Sequence, residues 1–190
     1  MGKFIDNLNR QIAKMGLPFR TARARDWLVG KIKSAQQFVV RTGLGTSVSS
    51  TIIGNMYFFK YDAKYKDTLP YWDQFPLVFP IEMYGDGFLG INLHYLDVQS
   101  RLFLMDRLME FKNTKNFSAN TRLLLSYKLL AGVSKFKLFQ PCLKKYLYAH
   151  VRGSFILVDP NEWDICAVLP VEQFVGASSK DVFKYSRESV

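Results

Sequence analysis

Two cysteines and two histidines among 190 residues leave little material for metal or disulfide chemistry. Cys142 and Cys166 lie far apart in apolar surroundings, the pattern of two buried thiols in a reducing compartment. With His94 and His150 they form no C-x-x-C or H-x3-H spacing, so no zinc site is expected. Every hydrophobic run is cut by a charge or a proline well short of the ~18 residues a membrane span needs. The opening MGKFIDNLNRQIAKMG has no apolar core like that of a secretory signal. Met1-Gly2 is followed by Asp6 where a myristoylation signal has Ser or Thr. No serine sits in a nucleophile-elbow context. These absences turn the reading away from catalysis, cofactors and membranes and toward binding.

Acids are missing locally as well. Residues 111–158 hold nine Lys or Arg and no Asp or Glu, and residues 1–41 hold nine against two. The two segments between and after them are each −3, and the whole chain is +10. Charge segregated in this way points to a polyanion or an acidic protein neighbour, against the plainer alternative of a solvated basic face.

Aromatics are what the chain has in abundance. Gly54–Leu96 carries 12 of the 29, with three prolines and a Gly-Asp-Gly turn. Met56–Tyr61 reads as an aromatic strand, Lys64–Thr68 as a charged turn and Leu69–Asp73 as a proline-fixed loop. Pro76–Met83 reads as a second strand whose Pro80 suits an edge or a bulge. Gly85-Asp86-Gly87 supplies a hairpin turn with positive-φ positions, and Phe88–Leu93 is the third strand. Helices follow: Val98–Phe111 capped by Asp97, Ser118–Ala131 closed by Gly132, and a third from Pro141 to His150. Strands return at Phe155–Val158 and Trp163–Leu169, and Ser178 or Ser179 caps a last helix to about Glu188. Ahead of all this, Phe4, Leu8, Ile12 and Met15 are spaced as on a helix, and Asp26 caps a second carrying Trp27, Ile32 and Phe38.

The expected fold is therefore α+β, a small SH3-like β-barrel or meander with inserted helices and an N-terminal helical arm. Residues 1–50 form the basic arm and its Gly/Ser-rich joint. Residues 51–190 form the aromatic core domain, with a basic helical insertion over 98–152.

Three motifs weaken on inspection. Gly85-Asp86-Gly87-Phe88-Leu89-Gly90 matches G-x-G-x-x-G, but strand-like alternation follows where a helix N-terminus is needed, so it is a turn. Asp62-Ala63-Lys64 has the acid-x-Lys step of metal-dependent nucleases, yet it sits among Lys60, Lys64 and Lys66 as turn charge. His94, between Leu93 and Tyr95, reads as a hydrogen-bonded core histidine. The basic block differs in kind. Arg122, Lys128, Lys135, Lys137, Lys144, Lys145 and Arg152 are the candidate nucleic-acid-binding residues, interleaved with Tyr127, Phe136, Phe139, Tyr146 and Tyr148. In the arm, Arg20, Arg23, Arg25, Trp27, Ile32 and Phe38 are the candidate partner-binding residues.

The runs Gly54–Lys64, Leu69–Val78 and Gly87–Leu96 resemble a family of virion proteins of T4-like contractile-tailed phages, the DNA end protector family. Lys144–Tyr148 and Pro160–Asp164 are similar too, so the resemblance covers roughly residues 54–190. Trp72 stands where typical members carry Tyr, and Asp97 where they carry Pro. The resemblance implies a non-enzymatic protein packaged in the virion, present in host cytoplasm during assembly. It would cap the ends of linear double-stranded DNA and shield them from host exonucleases. Its partners would be DNA ends or other virion subunits, with no cofactor, small-molecule substrate or membrane. The rival is a neck, tail or baseplate component without DNA contact. In either case the binding residues are expected outside Gly54–Leu96.

Overall fold

In a computed structural model of the chain, the residues described are 53–112, 118–159 and 172–188, together with Asp26 and Trp163. The strands are β1 (Met56–Phe58), β2 (Trp72–Asp73), β3 (Leu77–Met83), β4 (Gly87–Asn92), β5 (Leu143–Leu147), β6 (Ile156–Val158) and β7 (Phe174–Val175). The helices are α1 (Val98–Lys112), α2 (Ala119–Val133) and α3 (Ser179–Glu188), with 3-10 turns at Leu93–Tyr95, Lys137–Cys142 and Tyr148–His150. Five strands form one antiparallel sheet in the order β5-β4-β3-β1-β6, and β2 pairs with β7 in a second, two-stranded one. The α+β class and the β1-β3-β4 meander are what the sequence predicts. No closed barrel forms among the described residues, because the outer strands β5 and β6 pair only inward.

Alternation along the strands gives the large sheet two apolar faces. One carries Met56, Phe58, Leu77, Phe79 and Ile91, and is covered by Leu104, Met105 and Leu108 of α1, Leu130 and Val133 of α2, and Trp163. The other carries Tyr57, Phe59, Tyr61, Val78, Phe88 and Tyr146. Phe59 sits at the centre of that second face, edge-on to Tyr61, Phe88, Tyr146 and Phe155 at 4.8–6.3 Å. Each such pair adds roughly 0.5–1.5 kcal/mol to what burial contributes.

The glycines of the G-x-G-x-x-G run are packing positions. A Cβ on Gly87 would lie 2.0 Å from the Tyr146 carbonyl oxygen of β5, and one on Gly90 would lie 2.2 Å from Val78 Cγ1 of β3. The β3–β4 turn closes through Tyr84 N–H to Gly87 O at 2.8 Å. The expected positive φ is absent there and occurs at Gly54, Gly153 and Gly176 instead. Pro80 falls at a register shift between Pro80 and Glu82, past the two residues that β1 pairs.

Local signals hold well at helix starts. Asp97 Oδ1 accepts from Ser100 N–H at 2.9 Å, Ser118 Oγ from Thr121 N–H at 3.1 Å and Ser178 Oγ from Asp181 N–H at 3.2 Å. At the end of α2, Gly132 stays helical. The Ser134 N–H satisfies the Leu130 carbonyl, so no left-handed residue is needed.

The largest correction concerns the helix expected from Pro141 to His150. Pro141 lies in a 3-10 turn and the chain then enters β5. Leu143, Tyr146, Leu147 and His150 have helical spacing, but the ladder with β4 wins, from Ile91 opposite Leu143 to Gly87 opposite Leu147. Trp163 is helical rather than strand, and the rest of the expected Trp163–Leu169 strand lies outside the described residues. Apart from Asp26, so does the arm. Among the described residues no helix is long and apolar enough to cross a membrane.

Candidate nucleic-acid interface

The site begins with a buried polar network that ties β2 to β4 and β5. Asp73 is 4% exposed. Its Oδ2 accepts from Asn92 Nδ2 at 2.9 Å and lies 2.8 Å from His94 Nδ1, while Oδ1 accepts from Phe75 N–H at 3.1 Å. A carboxylate only accepts, so Nδ1 carries the proton in that pair. Asn92 Nδ2 also donates to Tyr146 Oη at 2.9 Å, and Asn92 Oδ1 accepts from His94 N–H at 3.0 Å. His94 is thus the hydrogen-bonded core histidine that its neighbours in sequence suggest. Burial pushes the Tyr146 phenol far above its usual range, so it stays protonated.

Above this network lies a cleft of about 280 Å³ between β5 and the 61–73 segment. Its lining includes the buried Tyr61, Asp73, Tyr95 and Tyr146, the half-buried Tyr71 and Trp72, and the exposed Tyr65. Lys64, Lys144 and Lys145 line it too. Tyr61 is fixed by the Leu147 N–H, which donates to its Oη at 3.3 Å. Tyr71 is braced from outside by Tyr185 of α3, stacked at 6.0 Å and 12°.

Lys144 is half-buried with its Nζ 4.2 Å from the centre of the Tyr95 ring, and burial pushes its pKa down. Lys145 is exposed, 3.0 Å from Asp86 Oδ2 and 5.1 Å from the Tyr84 ring. Lys64 stands 5.1 Å from the Tyr65 ring.

Of the seven basic residues singled out from sequence, Lys144 and Lys145 line this cleft, with the Lys145 ammonium held toward Asp86 and Tyr84 outside the lining. Arg152 lies outside the lining, paired with Asp62 Oδ2 at 3.3 Å. Arg122 and Lys128 belong to α2, which covers the opposite face of the sheet from Tyr146, and Lys135 and Lys137 follow it on that helical side. The basic block is therefore split by the sheet and is not one face of two helices. The arm residues Arg20, Arg23, Arg25, Trp27, Ile32 and Phe38 lie outside the described residues.

Composition alone did not single out Tyr65, Tyr71, Trp72, Tyr95 or Lys64. The signal available was Leu69-Pro70-Tyr71-Trp72-Asp73, a rigid loop presenting two aromatics directly after a charged turn.

Asp62, the acid of the Asp-x-Lys step, is held by Lys66 at 2.9 Å and by Arg152, and the Lys66 contact leads in lowering its pKa. Among the described residues no three His, Cys, Asp or Glu side chains gather to hold a metal ion. Cys142 is buried, and burial pushes its thiol up to about 12, which leaves it unreactive. Cys166 lies outside the described residues.

The arrangement offers ring faces and ammonium groups with a rigid floor, a combination suited to bases and phosphates. A protein-family model described as "Phage T4 terminal DNA protecting protein" matches residues 1–189. No curated protein and no solved structure matches the chain significantly. The chain belongs to the family of the phage T4 terminal DNA protecting protein.

Proposed function

We propose that the chain is a non-enzymatic structural protein of a contractile-tailed phage virion that binds the ends of packaged double-stranded DNA and shields them from nucleases. The match of the terminal DNA protecting family along residues 1–189 carries this reading. The charge of +10 and the acid-free stretch 111–158 support it. Lys144 and Lys145 contact the terminus. Arg122, Lys128, Lys135, Lys137 and Arg152 neutralise phosphates farther along the duplex, which requires the DNA, the arm or a second copy to reach both sides of the sheet. The arm, residues 1–50, docks through Arg20, Arg23, Arg25, Trp27, Ile32 and Phe38 on neighbouring virion subunits, and residues 51–190 form the DNA-binding unit. The protein resides in the virion and passes through host cytoplasm during assembly.

A second reading, a neck, tail or baseplate component without DNA contact, draws on one observation. Phe136 is 64% exposed, and Leu138, Leu124 and Phe103 also face solvent on the helical side, as residues that meet another subunit would.

Salt dependence separates the two. Each phosphate neutralised contributes about 0.9 to the log–log slope, so six or more contacts weaken binding roughly 10³-fold or more between 50 and 200 mM salt. Affinity for blunt duplex ends is expected to fall that steeply, and Lys144→Glu with Lys145→Glu is expected to abolish it. Salt-insensitive binding, or none at low salt, would overturn the DNA reading. Fixed copies in symmetry-related positions away from DNA would favour the second.

A further inference from the structure

We infer that the cleft between β5 and the 61–73 segment takes a single unstacked nucleotide, its base against the aromatic rings and its phosphate on the lysines. The inference rests on the DNA-end reading and names what the site holds.

Size comes first. About 280 Å³ lies just under the ~300–1,000 Å³ of pockets for drug-sized ligands. One nucleotide fits such a space and a duplex does not.

The lining comes second. The lining is rich in rings, of which Tyr65 is 60% exposed and Trp72 half-buried. Base stacking on such rings is indifferent to sequence, because every base has a π-face.

Charge comes third. Lys144 is half-buried and makes no ion pair with a described residue. A cation removed from water without an anion is costly, and a phosphate beside it removes that cost. Lys64 likewise makes no ion pair with a described carboxylate, and the exposed Lys145–Asp86 pair is weak enough to exchange for a phosphate. The one carboxylate in the lining, Asp73, already accepts from Phe75 and Asn92 and is paired with His94.

These features also account for selectivity toward ends. Phosphates occur all along a duplex, but a base face is free only where the stack stops. Extruding a base costs least where it is already poorly paired. A site that demands one base face and one phosphate therefore reads a terminus without reading sequence.

The test compares a blunt linear duplex carrying 5′-phosphates with the same sequence as a closed circle, and adds dAMP as a third probe. The full chain is expected to prefer the linear form, and Tyr65→Ala or Lys144→Met to reduce affinity for it about tenfold. In parallel, 5-iododeoxyuridine at the terminal position is expected to photocrosslink to a peptide containing Tyr65 or Trp72, and at an internal position not to do so. Undiminished end preference in both variants, with crosslinks elsewhere, would overturn the inference and leave the DNA-end reading standing. Absence of any preference for ends in the unmodified chain would overturn that reading itself. If dAMP saturates the cleft without end preference, the site serves a free nucleotide and the inference fails.

Discussion

Asp73→Ala is expected to destabilise the folded chain by about 3–5 kcal/mol, at roughly 1–3 kcal/mol for each buried donor left unsatisfied. Asp73 is the acceptor shared by Asn92 Nδ2, His94 Nδ1 and the Phe75 N–H, all of them buried. Alanine leaves the His94 Nδ1 and Phe75 N–H donors without that acceptor, and leaves Asn92 Nδ2 with Tyr146 Oη alone. The loss also spreads, because Asn92 joins the same network to Tyr146 Oη on β5. At roughly 2–4 °C per kcal/mol for a domain of this size, the thermal midpoint is expected to fall by about 10 °C. Asp73→Asn keeps one acceptor oxygen and is expected to lose less. Thermal unfolding followed by circular dichroism without DNA measures both variants. An alanine variant within about 1 kcal/mol of the parent would show that the network contributes little.

The second large effect is expected at Arg101, a fully buried guanidinium. Its Nε donates to Leu96 O at 2.8 Å and its Nη2 to His94 O at 3.4 Å, and it pairs with Glu172. It also lies 5.5 Å from the Phe183 ring of α3. One side chain thus fastens α1 to the turn after β4 and to the segment leading into β7. Because β7 pairs with β2, with Trp72 opposite Val175, the same fastening supports the wall of the cleft.

Arg101→Met strands the Glu172 carboxylate in the interior and is expected to cost about 3–5 kcal/mol. Changing Glu172 to Met as well removes the stranded charge, so the double variant is expected to be more stable than Arg101→Met alone. A double-mutant cycle by chemical denaturation reads the difference. Strict additivity of the two single changes would mean that the pair is not coupled.

What could be read from the sequence was mostly local. Asp97, Ser118 and Ser178 cap helices because a short polar side chain ahead of an apolar run meets N–H groups three residues on. The charged turn at Lys64–Thr68 and the strand after Gly87 were legible from composition and alternation. Long-range pairing was less visible. Leu143, Tyr146 and Leu147 fit a helix as well as a strand, and only the presence of β4 decides between them. Strands β2 and β7 are two residues each and about a hundred residues apart, too short for any periodicity to announce them.

The cleft depends on these long-range decisions. Once the Lys144–Lys145 segment becomes a strand, it lies against the aromatic segment, and residues from inside and outside Gly54–Leu96 line one space. The seven basic residues share a linear stretch, and the fold distributes that stretch over α2, the turn after it and the edge strand β5 and beyond.

The central claim, that this chain guards DNA ends, is tested most directly by exonuclease protection. Linear blunt duplex is preincubated with the full chain at low salt and challenged with a double-strand exonuclease, with an internally nicked circle and an exonuclease that starts at nicks as the control. The account predicts that the linear DNA survives at a few copies of protein per end, that the nicked circle is degraded at its normal rate, and that Lys144→Glu with Lys145→Glu removes the protection. Linear DNA digested at the unprotected rate in the presence of saturating protein would contradict it.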